Sequence, residues 1–528
     1  MPDFTYPELA VDGLLRTAAE RHPHHLALRT PREAVTFAEL AARAERIAAF
    51  VRQATDGRPG ARVALAQVLD PVFAAAYHGV IAAGATVVLV NPLIGEDGLR
   101  HVLATSGAEL ALVPAATAGP LAKMRRLLPS LGTIAVTDDS EALVPPGCVA
   151  LHAVLRAAPD RCDRPPADLD AVACVQFTTG TTGRPKGVRL THRNVVANAR
   201  QTALAHRLTG DSVTVNHLPL YHVMHLNSAL AAGACQVLCP DPDPLVSLAV
   251  AAGTGATHYY GLPARLHRLA ADARLPATPL ESRGGPRLTA VLSGGSGLRP
   301  EAATVLRDLL RVPVIQGYGM AELSPLTHCQ QPGLDRPGAV GVPVPGTECR
   351  LVDLATRRPV DVWSTGEVQV KGPQLMAGYL GEDVPSRTGA DGWFSTGDVG
   401  YLDDDGALWL VDRVDDIFKY DNEIVSPSRV ERILATDPRV ADCLVADWPD
   451  EAHGALVWAG VVLRDTPGPG DVHDVLDVLD SIAARANEHL AHFERIRLTE
   501  ALDAVPRTPN GKPARRLVRR RLKQQATC

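Results

Sequence analysis

The densest chemistry in the chain lies in one run, Gln176-Phe177-Thr178-Thr179-Gly180-Thr181-Thr182-Gly183-Arg184-Pro185-Lys186-Gly187-Val188. Its glycines let the backbone curl so that successive N–H groups aim at one point, its threonines add hydroxyl donors, and Lys186 adds a mobile positive charge. That donor set suits a polyphosphate. Gly187 follows the lysine where the P-loop pattern has a Ser or Thr, so this is a different cradle. A plain surface loop has a similar composition, and the other motifs decide between the two.

Four further stretches carry candidate groups. Ser293-Gly294-Gly295-Ser296-Gly297 follows an apolar run and precedes a helical pattern from Pro300 to Leu310. It is either a place where ligands collect at the end of a parallel strand or an ordinary strand-to-helix turn. Gln316-Gly317-Tyr318-Gly319-Met320-Ala321-Glu322 presents a carboxylate, a hard oxygen ligand for Mg²⁺. Asp398, in a glycine-flanked turn, can accept both hydroxyls of a ribose or can cap its own backbone. Val505-Pro506-Arg507-Thr508-Pro509-Asn510-Gly511-Lys512 ends on a lysine that, taken alone, is a solvated loop residue.

Together these runs resemble the adenylate-forming superfamily: acyl-CoA synthetases, luciferases and the adenylation domains of peptide synthetases. The first run resembles its phosphate loop, Tyr-Thr-Ser-Gly-Thr-Thr-Gly-x-Pro-Lys-Gly, and six other motifs follow in the family's order along essentially the whole chain. The resemblance implies that Thr178, Thr179, Gly180, Thr181, Thr182, Gly183 and Lys186 hold the phosphates of ATP. It implies that Gly294, Gly295, Ser296, Tyr318, Gly319 and Met320 line the nucleotide, that Glu322 holds Mg²⁺, and that Asp398 and Arg413 meet the ribose or phosphate. Lys512 is then the catalytic lysine that bridges the acid carboxylate and the α-phosphate as charge builds.

The run Pro219-Leu220-Tyr221-His222-Val223-Met224-His225 resembles the family's acid-pocket motif. The resemblance places His222, Met224, His225, Tyr260, Gly261 and Gly317 at the substrate, with His222 also among the catalytic groups. A metal site built from His217, His222 and His225 is the competing reading, and no carboxylate or cysteine stands beside them at ligand spacing. Two departures stand out. Ala321 replaces the threonine of Gly-Tyr-Gly-x-Thr-Glu, removing a hydroxyl donor. Asp421-Asn422 replaces the two glycines of Lys-x-Gly-Gly-Glu, in a loop that lines the pantetheine channel of CoA ligases. Both residue types tolerate left-handed backbone, so the turn is expected to survive.

The elements that position these groups follow the α/β pattern. A strand at Ala61–Ala66, a helix at Pro71–Ala83 and a strand at Ala85–Leu89 imply parallel sheet covered by helices. A helix is expected from Thr191 to about His206, and strands at Val213–Leu218 and Ala290–Ser293. The expected fold is α/β: a large N-terminal domain of mixed and parallel sheets with helices over residues 1–412, and a small mobile α+β C-terminal domain over 413–528, hinged near Asp415. A pair of acids such as Asp415-Asp416 is otherwise ordinary solvated surface. The basic tail from Arg515 to Lys523, with Leu517, Val518 and Leu522 at helical spacing, reads as a surface helix rather than a nucleic-acid arm.

Bulk properties agree with an enzyme of this kind. The chain of 528 residues is long enough for two or more domains, and it is 46% hydrophobic and 21% charged. A net charge of -6 gives no electrostatic case for nucleic acid or anionic membrane. The nine scattered cysteines suggest reduced thiols in a cytoplasmic protein. The N-terminus lacks the pattern of a signal peptide, and no apolar run reads as a membrane span.

The resemblance therefore implies ATP-dependent activation of a small-molecule carboxylic acid as its acyl-adenylate, with pyrophosphate released, followed by transfer to CoA. Three alternatives stay open at the level of sequence. The acceptor is a phosphopantetheinyl carrier-protein thiol, an amine or another nucleophile. The activated group is an unusual oxyanion such as nitrite. Or the chain is a nucleotide-binding protein without catalysis.

Overall fold

The computed structural model describes the chain apart from residues 1–4, 68, 179–184, 219, 280–281, 332, 334–335, 382–385, 422, 465–471, 508–512 and 527–528. The chain divides into two compact units. The larger comprises Met1–Cys349, Val370–Phe394 and Asp405–Leu408; the smaller comprises Arg350–Gln369, Ser395–Asp404 and Trp409–Cys528.

The larger unit is built on two sheets. In an eight-stranded sheet, the parallel strands Arg62–Leu65, Thr86–Leu89, Leu110–Val113 and Thr133–Val136 pair through fully buried Val, Leu and Ala side chains. Such all-apolar strands need helices on both faces. Pro71–Ala82 is one of those helices: Asp70 caps it through Val72 N–H, proline takes its first turn, and nearly every side chain is buried. The expected strand-helix-strand unit is thus present with its boundaries shifted by a residue. Val172–Thr178 joins this sheet beside Thr86–Leu89 and then turns back as the antiparallel strand Lys186–Thr191.

The second sheet has nine strands. Its parallel centre contains Val213–Asn216, His258–Gly261, Ala290–Ser293 and Val314–Gly319. Two of the expected helices are present, at His192–Ala205 and Pro300–Leu310. The first opens with a reciprocal cap, in which Thr191 Oγ accepts from Asn194 N–H and Asn194 Oδ1 accepts from Thr191 N–H. The strand expected to reach Leu218 stops at Asn216, because the Asn216 side chain accepts the Leu218 N–H and closes a local turn. A short helix, Met224–Ala232, begins within the acid-pocket motif, so Met224 and His225 occupy a helical first turn.

The smaller unit is α+β. It holds most of a four-stranded sheet in the order Glu348–Val352, Gly366–Lys371, Phe394–Leu402, Leu408–Arg413. A second, three-stranded sheet pairs Val440–Asp450 with Gly454–Leu463 antiparallel, and the latter with Ile496–Ala501 in parallel. The helices Pro427–Leu434 and Val472–Asn487 complete this part of its core. The tail forms the expected helix, Arg515–Ala526, which buries Val518 and Leu522. Leu517 lies on the solvent side of that helix, 60% exposed, because it is off the Val518–Leu522 stripe.

Candidate active site

The strands that flank the threonine- and glycine-rich run, Val172–Thr178 and Lys186–Thr191, pair antiparallel. Thr178 ends one strand and pairs directly with Lys186, the first residue of the next. Thr179, Gly180, Thr181, Thr182 and Gly183 lie outside the described residues, as does Lys512. The lysine strand is covered on its other edge by the two-residue strand Gly378–Tyr379, in register with Arg189 and Val188. Lys186 Nζ sits 5.5 Å from the centre of the Tyr379 ring, within the range of a cation–π contact. The Tyr379 hydroxyl donates to Glu322 Oε1 at 2.9 Å. Burial, and then the adjacent Glu322, raise the pKa of the phenol above 10, so it remains a donor.

Glu322 is buried in a single turn of 3₁₀ helix, Ala321–Leu323, straight after the strand Val314–Gly319. The close packing of this strand end fixes its glycines. A Cβ on Gly319 would lie 1.9 Å from the Pro325 carbonyl oxygen, and one on Gly317 would lie 3.0 Å from Leu326 Cδ1. Met320 N–H bonds the same Pro325 carbonyl. Tyr318 is half-buried, its ring 5.8 Å from that of His328. Gly294, Gly295 and Ser296 leave the end of the neighbouring strand, and a Cβ on Gly294 would stand 3.7 Å from Gly317 O, so the two glycine-containing segments run side by side. Gly295 has φ +90, a conformation that favours glycine.

The residues that the sequence assigns to the acid pocket lie near a cluster of histidines around Tyr260. Gln176, buried two residues before Thr178, donates through Nε2 to His222 Nδ1 at 3.0 Å. His222 is open to solvent on one side, and the packed protein on its other side lowers its pKa. His225 is buried and lies with its ring centre 4.0 Å from that of Tyr260. Tyr260 OH and His206 Nδ1 share a hydrogen bond of 3.0 Å, and His258 Nε2 donates to the His206 carbonyl at 2.8 Å. Tyr260 itself is fully buried and backs His225. Gly261 follows it, where a Cβ would meet Leu266 Cδ2 at 2.6 Å. Desolvation holds His225 down to about 3, with His222 adding to the shift, and holds His217 at about 3 as well. These imidazoles are therefore neutral at pH 7. Among the described residues no group of three or more His, Cys, Asp or Glu is placed to hold a metal ion.

In the smaller unit, Asp398 and Arg413 are held together: Arg413 Nε donates to Asp398 Oδ1 at 2.8 Å. Thr396 Oγ accepts the Asp398 N–H and bonds the Val368 carbonyl, which fixes the turn. Asp415 faces the tail helix, its Oδ2 accepting from Arg516 at 3.0 Å. Asp421 takes left-handed backbone, φ +46, as its residue type allows. Its carboxylate lies 2.8 Å from His453 Nδ1, and the His453 ring stacks on Tyr420 at 4.7 Å. Asn422 lies outside the described residues.

The model of the AMP-binding enzyme family matches residues 15–380, and that of the AMP-binding enzyme C-terminal domain matches 429–512. The chain belongs to the AMP-binding enzyme family. It is an adenylate-forming enzyme of the acyl-CoA synthetase type. It is 32% identical to a feruloyl-CoA synthase of an Amycolatopsis species over 95% of this chain and 97% of that protein. It is 28% identical to a long-chain-fatty-acid–CoA ligase of Bacillus subtilis over 99% of this chain and 95% of that protein. The ATP-bound crystal structure of MatB from Rhodopseudomonas palustris superposes with a TM-score of 0.85 at 25% identity, covering 98% of this chain and all of that one.

The residues of the AMP-binding enzyme fit a divalent cation that arrives with the nucleotide. Mg²⁺ sites of this kind use one or two carboxylates and fill the remaining positions with phosphates and water. Glu322 supplies one buried carboxylate, one oxygen of which accepts from the Tyr379 hydroxyl. Two contributors escape sequence reasoning. Gln176 gives no signal beyond its place before the loop. Tyr379 reads as part of a structural strand, and only the fold brings it to Glu322.

Proposed function

We propose that this enzyme activates an aryl or modestly polar carboxylic acid and transfers it to CoA. It is an AMP-forming acid–CoA ligase, using ATP and CoA as substrates. The observation that carries the site assignment is the convergence of Thr178, Lys186 and Glu322 through Tyr379 at the mouth of the phosphate loop. The loop residues 179–183 and Lys186 hold the triphosphate, while Gly294–Ser296, Tyr318, Gly319 and Met320 line the nucleoside. Glu322 would hold Mg²⁺, which when bound offsets negative charge on the phosphates. Asp398 and Arg413 meet the ribose, an assignment supported by their mutual ion pair in a fixed turn.

In the first half-reaction the acid carboxylate attacks the α-phosphorus. A P–O bond to the acid forms, the bond to the β-phosphate oxygen breaks, and pyrophosphate leaves with the electron pair. Lys512 stabilises the charge that builds between the two reactants. The domain 413–528 then turns about Asp415, withdrawing Lys512 and presenting the Asp421 face. The CoA thiol, losing its proton, attacks the acyl carbonyl, and AMP leaves as the thioester forms. Domain closure of this kind keeps water from the acyl-adenylate.

The acid-side wall supports the aryl assignment. Neutral His222 and His225, with Met224 beside His225 in the first helical turn, offer ring faces and hydrogen-bonding nitrogens rather than a long aliphatic channel. The feruloyl-CoA synthase relative is named for an acid of that character. We place the enzyme in the cytoplasm, a reading supported by the unbonded state of all described cysteines. No described helix is long and apolar enough to cross a membrane. Acid-dependent exchange of labelled pyrophosphate into ATP, followed by thioester formation with free CoA, tests the two halves. Exchange without CoA thioester, but with loading of a phosphopantetheinyl carrier, would replace CoA by the carrier as acceptor.

A further inference from the structure

One five-residue segment touches both charged groups of the phosphate side. Met376 N–H bonds the Glu322 carbonyl at 2.9 Å, and Ala377 N–H and Leu380 N–H bond Arg189 O at 2.9 Å and Gly187 O at 2.7 Å on the lysine strand. Between these anchors, Tyr379 sends its hydroxyl to Glu322 Oε1 at 2.9 Å and its ring beneath Lys186 Nζ. Packing holds the register: a Cβ on Gly187 would stand 3.1 Å from Leu380 Cβ and 3.0 Å from Val175 Cγ1, so the glycine lets this segment close on the lysine strand. The Tyr379 hydroxyl thus holds one oxygen of the Glu322 carboxylate in place.

We propose that Tyr379 is a positioning residue for nucleotide binding. Its hydroxyl fixes the Glu322 carboxylate in the rotamer that leaves Oε2 for a divalent cation, and its ring restricts Lys186 to the mouth of the phosphate loop. The proposal rests on the reading of Glu322 as an oxygen ligand of Mg²⁺. Preset ligands of this type raise affinity by removing the entropy of ordering them at the moment of binding. Tyr379 touches neither the acid nor the reacting atoms, so its effect reaches the reaction through Glu322 and Lys186.

The test compares the wild-type enzyme with Tyr379→Phe and Tyr379→Leu, using calorimetry of α,β-methylene-ATP binding in Mg²⁺ and again in EDTA. Tyr379→Phe keeps the ring and the packing, so its melting temperature is expected to stay close to that of the wild type. Its affinity falls about tenfold in Mg²⁺ and does not change in EDTA. Tyr379→Leu loses a further few-fold in both buffers, because the ring beneath Lys186 is gone. In a Glu322→Gln background, Tyr379→Phe adds no further loss. Equal losses of Tyr379→Phe in both buffers, or none in Mg²⁺, would overturn the proposal. Wild-type binding that ignores Mg²⁺ would remove Glu322 as a cation ligand and overturn it too. Pyrophosphate exchange by the wild type, read in parallel, reports on adenylation independently of Tyr379.

Discussion

Around Glu322 the larger unit gathers a carboxylate, a lysine and a protonated phenol, whereas around Tyr260 it gathers histidines that burial keeps uncharged. The two regions meet at one strand, because Gln176 holds His222 while Thr178, two residues on, faces Lys186. On the proposed assignment the contrast follows the ligands each side would hold. A triphosphate and its cation carry charge throughout, so fixed charges are useful there. The body of an aryl or modestly polar acid carries none, and neutral imidazoles can orient it without a buried charge to compensate.

Removing charge on the phosphate side is expected to cost most. Lys512→Ala should lower acid-dependent pyrophosphate exchange about a hundredfold to a thousandfold with little change in melting temperature. Glu322→Gln keeps the shape and removes the charge. It should lower exchange on the order of a hundredfold and raise the Mg²⁺ concentration needed for half-maximal rate. If both substitutions were mild while changes around Tyr260 abolished exchange, the contrast between the two regions would be reversed.

The neutrality of the histidine side has a signature in pH. The folded pKa values of His217 and His225 are held near 3, below the ordinary 6.5. Between those values the unfolded chain binds protons that the folded chain refuses. Their contribution to stability is therefore full above about pH 6.5 and is lost as the pH falls from there toward 3, by about 1.4 kcal/mol per pH unit for each histidine. His225 is flanked by His222 and Tyr260, and His217 by Arg265, His225 and Tyr259. Urea unfolding at pH 7 and pH 5.5 should show this slope, and His225→Gln should reduce it. An unchanged slope would mean that His225 is charged in the folded protein. The smallest effect is expected from His225→Phe read by substrate choice. It should change the ratio of kcat/KM between hydroxylated and unsubstituted aryl acids about fivefold and leave the KM for ATP alone.

The sequence made the fold legible where a pattern has one physical reading. The mostly apolar stretch Pro71–Ala82, with Asp70 before it, reads as a covered helix between covered strands. Asp421 shows the same logic, since its tolerance of left-handed backbone is what the turn uses at φ +46. What stayed hidden depends on residues distant in sequence. Tyr379 reaches Glu322 across 57 positions, and Gln176 reaches His222 across 46, and neither pairing leaves a local trace. The helix at Met224 escaped because its opening residues lack a side-chain cap. Asp398 and Arg413 were each legible as nucleotide groups, but their pairing with one another was not.

The most direct test of the account is pyrophosphate exchange by the purified enzyme across a panel of hydroxylated aryl, unsubstituted aryl and aliphatic acids. The account predicts exchange that requires an acid, is strongest for the aryl members, and yields AMP and an acyl-CoA when CoA is added. Release of ADP and orthophosphate, or absence of exchange with every acid, would contradict it.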